Sequence, residues 1–261
     1  MQLPQATIQD AFRMHGDVYA ATKGWGIPYH IECWVRSKTA FDENSPADFK
    51  WLYFQLKNHW HVFRGAIGAP WEPKRIFDHL RSQNERLRNL RLSEMNDDDL
   101  ADCWQIIESI SDIKPMKYAP SVVAISKFLH FWNPRLFVIV DHAIIWSWVF
   151  AHRWLKRQIE ETRARIESLL PDARCSDAAP ACDLLSYLAV LSWSAHVVKG
   201  NPTIASAFTE HVRAHATDVP IELPIETYEA AAIEWLLLGL VELPPSGVAL
   251  TSVEGKPKHG L

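Results

Sequence analysis

The residues best suited to chemistry gather between Asp98 and Trp148. There Asp141 closes a five-residue apolar run, Leu136–Val140, which follows an Asn133-Pro134 break. A carboxylate can stabilise developing positive charge or orient a water. Aspartate is also favoured as the N-cap of a helix, and the segment after Asp141 has a helical pattern. The residues alone leave both roles open, and the two are compatible. Lys127 stands 14 residues before Asp141 on a strongly apolar helical stretch. Residues 113–165 hold nine Lys/Arg (Lys114, Lys117, Lys127, Arg135, Arg153, Lys156, Arg157, Arg163, Arg165) and three acids, although the whole chain has a net charge of −4. Positive potential is therefore concentrated around this stretch, as phosphate binding needs. The competing reading for residues 153–165 is a solvated helix face, because Arg157, Glu160, Glu161 and Arg165 have the spacing of i,i+4 pairs. A second basic stretch, Arg81–Arg91, reads as the exposed face of a helix.

Other chemistries are poorly represented. Twelve histidines invite a metal reading. His59 and His61, however, fall on opposite sides of a helix. His211 and His215 share a face, but Val212 follows His211, so the HExxH pattern of zinc enzymes is absent. Asp141-His142 reverses the His-Asp pair of metal phosphohydrolases, with no matching histidines upstream. No metal site and no cofactor are expected. The sequence has no GxGxxG and no GxxxxGK[ST] phosphate loop. Cys33, Cys103, Cys175 and Cys182 are too few and too scattered for a disulfide framework or a zinc knuckle, and fit reduced thiols.

The elements that must position these residues are helical almost throughout. Helices are expected over about Thr7–Lys23, Pro46–Arg64 with Ser45 as N-cap, and Pro73–Leu90. The next begins at Asp97-Asp98-Asp99, where acids complement the helix dipole, and carries Leu100, Trp104, Ile107 and Ile110 on one face. Pro120–Trp132 is expected to stop at Asn133-Pro134, and a long helix to run from Asp141 to Leu170. Pro180–Lys199, Pro202–Ala216 and Pro224–Val241 complete the set. Ile27–Val35 is ambiguous and reads as a short extended piece. Ten Gly against 12 Trp and 11 Phe argue against a turn-rich sandwich or barrel. The expected class is all-α. The chain divides into an N-terminal helical region (1–92), a central region (93–170), C-terminal helices (171–241) and a loose tail (242–261). The first 30 residues show no signal peptide. The longest apolar run, Ala230–Val241, is interrupted by Glu234 and is too short for a bilayer. A cytoplasmic monomer with no membrane partner is expected.

Three segments together carry a resemblance. Ser126-Lys127-Phe128-Leu129-His130-Phe131, Asn133-Pro134-Arg135-Leu136-Phe137 and Val138-Ile139-Val140-Asp141 resemble the helix-hairpin-helix DNA glycosylase superfamily, in particular its bacterial 8-oxoguanine-DNA-glycosylase-like branch. The resemblance covers about 50 residues well. It implies a two-lobed fold that flips a modified base out of double-stranded DNA and breaks its N-glycosidic bond. Asp141 occupies the family's catalytic aspartate position. The implied role is to stabilise the oxocarbenium-like charge at the anomeric carbon and orient a water. Lys117 and Lys127 are lesser catalytic candidates.

The family hairpin carries Gly-x-Gly, but here Asp112–Pro120 has no glycine, so the hairpin is degenerate. Bifunctional members place a lysine nucleophile where Ser121 falls if Pro120 opens the helix, so a monofunctional enzyme that leaves an abasic site is implied. Lys114, Lys117, Ser121, Arg135 and His142 are the expected DNA contacts. Trp25, in a Gly24-Trp25-Gly26 break, reads either as a lid over the core or as an aromatic that stacks on a flipped base or fills the gap it leaves, with Trp34 and Glu32 nearby as further base-pocket candidates. The branch also resembles anti-phage glycosylases, which implies a hypermodified phage base such as glucosylated hydroxymethylcytosine. An 8-oxoguanine repair enzyme, or a helix-hairpin-helix protein that only binds DNA, are the alternatives.

Overall fold

The computed structural model describes residues 2–19, 26–60, 73–82, 85–112, 122–141, 153–173, 184–216 and 222–243. These residues are mostly helical and include no strand. In chain order the helices are α1 (Gln5–Tyr19), α2 (Ile27–Asp42), α3 (Pro46–Asn58), α4 (Pro73–Arg81), α5 (Glu85–Asn89) and α6 (Asp97–Asp112). They continue with α7 (Val122–Trp132), α8 (Arg153–Leu169), α9 (Leu184–Gly200), α10 (Thr203–His215) and α11 (Glu229–Glu242), with a 3-10 turn over Ile225–Thr227. The all-α class is as the periodicity requires.

Local chemistry explains the boundaries. Ser45 caps α3 by accepting the Asp48 N–H at 3.3 Å, with Pro46 in the first turn. The start of α6 is a reciprocal cap: Asn96 Oδ1 accepts the Asp98 N–H at 2.8 Å, and Asp99 Oδ2 accepts the Asn96 N–H at 2.9 Å. The segment expected to be extended, Ile27–Val35, is instead the first half of α2. Ile27, His30, Ile31, Trp34, Ser37 and Phe41 are buried, a spacing of three and four residues that a helix satisfies and a strand does not. The single helix expected over Pro73–Leu90 is interrupted. Its first part ends at Arg81, where the Ser82 hydroxyl donates to the His79 carbonyl at 2.7 Å.

The buried side chains of the described residues form one hydrophobic cluster fed by nearly every helix. Within it α1 lies against α10 and α11, α8 against α9, and α2 against α3 and α7. The α1–α11 contact is close enough to need glycine: a Cβ on Gly239 would lie 1.8 Å from the Ala11 carbonyl oxygen. Trp34 and Trp235 sit at the centre, stacked with ring centroids 5.6 Å apart.

The apolar helix α7 and the residue after it carry Ser126, His130 and Asn133, buried polar residues on one face at turn spacing, and α7 buries Lys127 as well. Asn133, just past the last turn, donates from Nδ2 to the Leu87 and Leu90 carbonyls at 2.9 and 3.0 Å and accepts the Arg135 N–H at 3.0 Å. It thereby fixes where the chain leaves α7 against the end of α5. Asn133→Ala strands both carbonyls without their donor, and at ~1–3 kcal/mol for a buried orphan it should lower unfolding stability by about 2–4 kcal/mol in urea denaturation.

Candidate active site

After Asn133 the chain turns and runs back along α7 toward its start. The returning run Leu136–Val140 is buried and belongs to no sheet; the Leu136 and Phe137 N–H groups donate to the Asn133 carbonyl, and several of its other backbone groups take partners from side chains. The Phe137 carbonyl accepts from His130 Nδ1 at 2.8 Å, and the Val138 carbonyl accepts from the Tyr187 hydroxyl at 3.0 Å. The Val140 N–H donates to Ser126 Oγ at 3.2 Å, while that hydroxyl donates to the Val123 carbonyl at 2.9 Å. The run is thus pinned at three successive points, and Asp141 is delivered at its end beside Lys127.

Lys127 is the most unusual residue of α7. Its side chain is 7% exposed, whereas that of Asp141 is 39% exposed. The ammonium donates to the Trp60 carbonyl at 3.0 Å, lies over the Trp60 ring at 5.6 Å, and stands 3.8 Å from Asp141 Oδ2. A cation buried in this way requires such compensation. The carboxylate therefore has a rigid backbone behind it, a fixed positive charge beside it, and an open side.

Below this pair lies Glu234 of α11, almost fully buried, with Oε2 lacking any hydrogen-bond partner among the described residues. Burial pushes its carboxyl up to about 8, Lys127 pulls it partly back, and Asp141 adds to the rise. Glu234 is therefore mostly neutral at pH 7. Oε2 is 4.0 Å from His130 Nε2. Since His130 Nδ1 faces a carbonyl, that nitrogen carries the proton, and Nε2 accepts from Trp34 Nε1 at 3.2 Å. Burial holds His130 down at about 4, so His130 and Glu234 meet as two neutral groups and not as an ion pair. His30, lowered to about 3 mainly by burial, completes the group with its ring edge-on to Trp60 at 5.0 Å.

The structure thus brings together Asp141 and Lys127, two of the three catalytic candidates. Lys114, Lys117, Ser121, His142 and Trp25 lie outside the described residues. Trp34 and Glu32 are on α2 and not in a loop. Trp34 is a core residue, 1% exposed and bonded to His130, so it is not free to stack on an extrahelical base. Glu32 is exposed, and its carboxylate is 3.7 Å from Arg36. Arg135 is half-buried at the other end of the returning run. The basic residues of α8 with described side chains are locally neutralised: Lys156 with Glu160, Arg157 with Glu161, Arg163 with Glu167 and Arg165 with Asp97. Arg81, Arg86, Arg88 and Arg91 are likewise paired, with Asp78, Asp99, Asp42 and Glu94.

His211 and His215 do share a face, but His211 Nε2 meets His15 Nδ1 at 3.0 Å in the core. Among the described residues no three His, Cys, Asp or Glu side chains gather as metal ligands, and no helix is long and apolar enough to cross a membrane.

Sequence reasoning missed Glu234, His130 and Trp60 as members of this cluster. Glu234 did leave a signal, as the one charge inside the Ala230–Val241 apolar run. No protein-family model, curated protein or solved structure matches the chain.

Proposed function

We propose that the protein is a monofunctional DNA glycosylase that hydrolyses the N-glycosidic bond of a modified base flipped out of duplex DNA. The observation that carries this reading is the Asp141–Lys127 pair: a half-exposed carboxylate on a pinned backbone, 3.8 Å from a buried ammonium. In the proposed reaction the bond between base and anomeric carbon breaks and the base leaves with its electron pair. Positive charge then grows on the sugar, where the Asp141 carboxylate stabilises it. A water oriented by the same carboxylate adds to the anomeric carbon, and the proton it gives up ends on the departed base, which leaves free base and an abasic site in an intact strand. Lys127 fixes the orientation of Asp141. Its own ammonium is engaged by the Trp60 carbonyl, which suits a charge partner better than a nucleophile. The motif shared with helix-hairpin-helix glycosylases supports the same assignment, with the two-lobed fold and degenerate hairpin as its finer content.

The test is incubation with duplexes carrying single modified bases, 8-oxoguanine among them, and with phage DNA whose cytosines are hypermodified. Free base and abasic sites are expected from at least one substrate, with strand breaks only after heat or alkali. Borohydride should trap no covalent protein–DNA adduct. An adduct would make a lysine the nucleophile. Binding to every duplex without base release would make the protein a DNA-binding module.

A further inference from the structure

At the far end of α7 from Asp141, a cleft of about 110 Å³ opens between α2, α5, the Asn133–Arg135 turn and the segment before α11. On this measure a single water needs ~10–15 Å³, so the space admits a group of several heavy atoms. Its polar lining is lopsided. Ser37 and Trp132 both line it, both are more than nine-tenths buried, and neither Ser37 Oγ nor Trp132 Nε1 has a hydrogen-bond partner among the described residues. A buried donor without an acceptor costs ~1–3 kcal/mol, so two in one cleft call for an acceptor that enters it. Lys38 and Arg135 line the same cleft, and no ion pair engages either among the described residues. Of the remaining charges, Arg88 and Asp42 are paired with each other, and Asp42 is the one acid among the lining residues. Among the described residues the cleft therefore presents two cations outside any close ion pair, Arg135 feeling Glu94 only at longer range, and two unpartnered neutral donors, with the one carboxylate of its lining already committed. Phe41, Phe131 and Tyr228 close its walls and keep the local dielectric low, which strengthens an ionic contact.

We infer that this cleft is a phosphate-binding site, separate from Asp141, in which Lys38 and Arg135 neutralise the anion and Ser37 Oγ and Trp132 Nε1 donate to its oxygens. The returning run from Leu136 to Asp141 rises ~3.3 Å per residue, which sets the cleft on the order of 15 Å from the Asp141 carboxylate. That span is too long for one nucleotide to fill both places. The phosphate is either a second backbone phosphate of a DNA strand or that of a free nucleotide or phosphate ion, and both sources offer the same oxygens to the same four groups.

The full-length protein should be titrated at low ionic strength with inorganic phosphate, deoxyadenosine monophosphate and a short unmodified duplex. Two readouts apply: calorimetric affinity, and the indole N–H resonance of Trp132, identified by its loss in Trp132→Phe. At least one of the three probes should shift that resonance. Lys38→Gln and Arg135→Gln should each weaken the same binding by about tenfold. Lys38 is exposed, so Lys38→Gln should leave melting unchanged and gives a readout even if Arg135→Gln folds poorly. A duplex that displaces phosphate identifies the source as the DNA backbone, and phosphate binding that the duplex leaves untouched identifies a free ion or nucleotide. Absence of a Trp132 shift with all three probes, or wild-type affinity in Lys38→Gln, overturns the site. Because the measurement reads binding without turnover and should be intact in Asp141→Asn, it stands or falls independently of base excision.

Discussion

Asp141→Asn should lower base release by at least about a hundredfold, or ~3 kcal/mol of transition-state stabilisation, while leaving duplex affinity within about threefold of wild type. Asparagine has the same shape and keeps a carbonyl oxygen, but it lacks the negative charge that the developing oxocarbenium requires. The local fold should tolerate the exchange. Val140 remains tied to Ser126, Phe137 to His130 and Val138 to Tyr187, so the run that delivers residue 141 does not depend on the carboxylate. Lys127 loses one neighbour at 3.8 Å but keeps the Trp60 carbonyl at 3.0 Å and the Trp60 ring. The measurement is single-turnover base release alongside a binding isotherm and a melting curve. Wild-type release by the variant would remove Asp141 from the mechanism. Loss of release together with a large drop in melting temperature would assign Asp141 a structural role.

Lys127→Met separates charge from packing at the same site. Methionine fills the stem's volume but supplies no ammonium to Asp141 or to the Trp60 carbonyl. If the lysine orients the carboxylate, release should slow with binding little changed. A stability loss of about 1–3 kcal/mol is expected in addition, for the buried carbonyl left without its donor.

Much of this arrangement is legible in α7 alone. Besides Lys127, Ser126 and His130 interrupt an apolar helix and Asn133 follows it, at spacings of four and three residues. That pattern places three polar groups on a buried face, where each must find a partner. The short apolar run after Asn133-Pro134 is what supplies those partners. Glu234 is similarly visible as a charge in an apolar helix, although its neighbours are not. The long-range meetings are another matter. Lys127 finds the carbonyl of Trp60, 67 residues away, and Trp34 finds His130, 96 residues away. Helical periodicity says which face of each helix is buried but not which faces meet. Ile27–Val35 misleads for a related reason. Its β-branched and aromatic residues favour strands intrinsically, yet Gly26 and Pro28 start a helix there and the buried positions follow the helical repeat. The basic character of residues 153–165 is real in composition, but much of it is spent in i,i+4 pairs on α8, which leaves less of it for phosphate.

The buried titratable groups should give the fold a stability optimum at about pH 7, with opposite slopes on its two sides. His30 and His130 are held at about 3 and about 4, and His15 and His211, 3.0 Å apart in the core, are also lowered, in each case chiefly by burial. In the unfolded chain these groups titrate near 6.5. Below that pH the unfolded state binds protons that the folded state refuses, so stability falls as pH falls, by up to ~1.4 kcal/mol per pH unit for each group. Glu234 acts in the other direction. Its carboxyl, raised from 4.5 to about 8, keeps a proton when folded that the unfolded chain has already released. Between those values stability falls as pH rises, and above about 8 the loss is complete. Below 6.5 the four histidines outweigh the one carboxyl. From pH 7 to 8 the proton held by Glu234 should cost about 1 kcal/mol, of which the last of the histidine titration returns roughly half, so the wild-type limb is shallow there. Urea denaturation from pH 4 to 9 reads both limbs. Glu234→Gln removes the titrating group but keeps the side chain's shape, so it should gain about 1 kcal/mol relative to wild type between pH 7 and 8 and preserve the acid limb. An alkaline limb that survives in Glu234→Gln would place its origin in another group. A stability difference between wild type and Glu234→Gln that stays constant from pH 7 to 8 would mean that Glu234 is ionised in the fold, with Lys127 shared between two carboxylates.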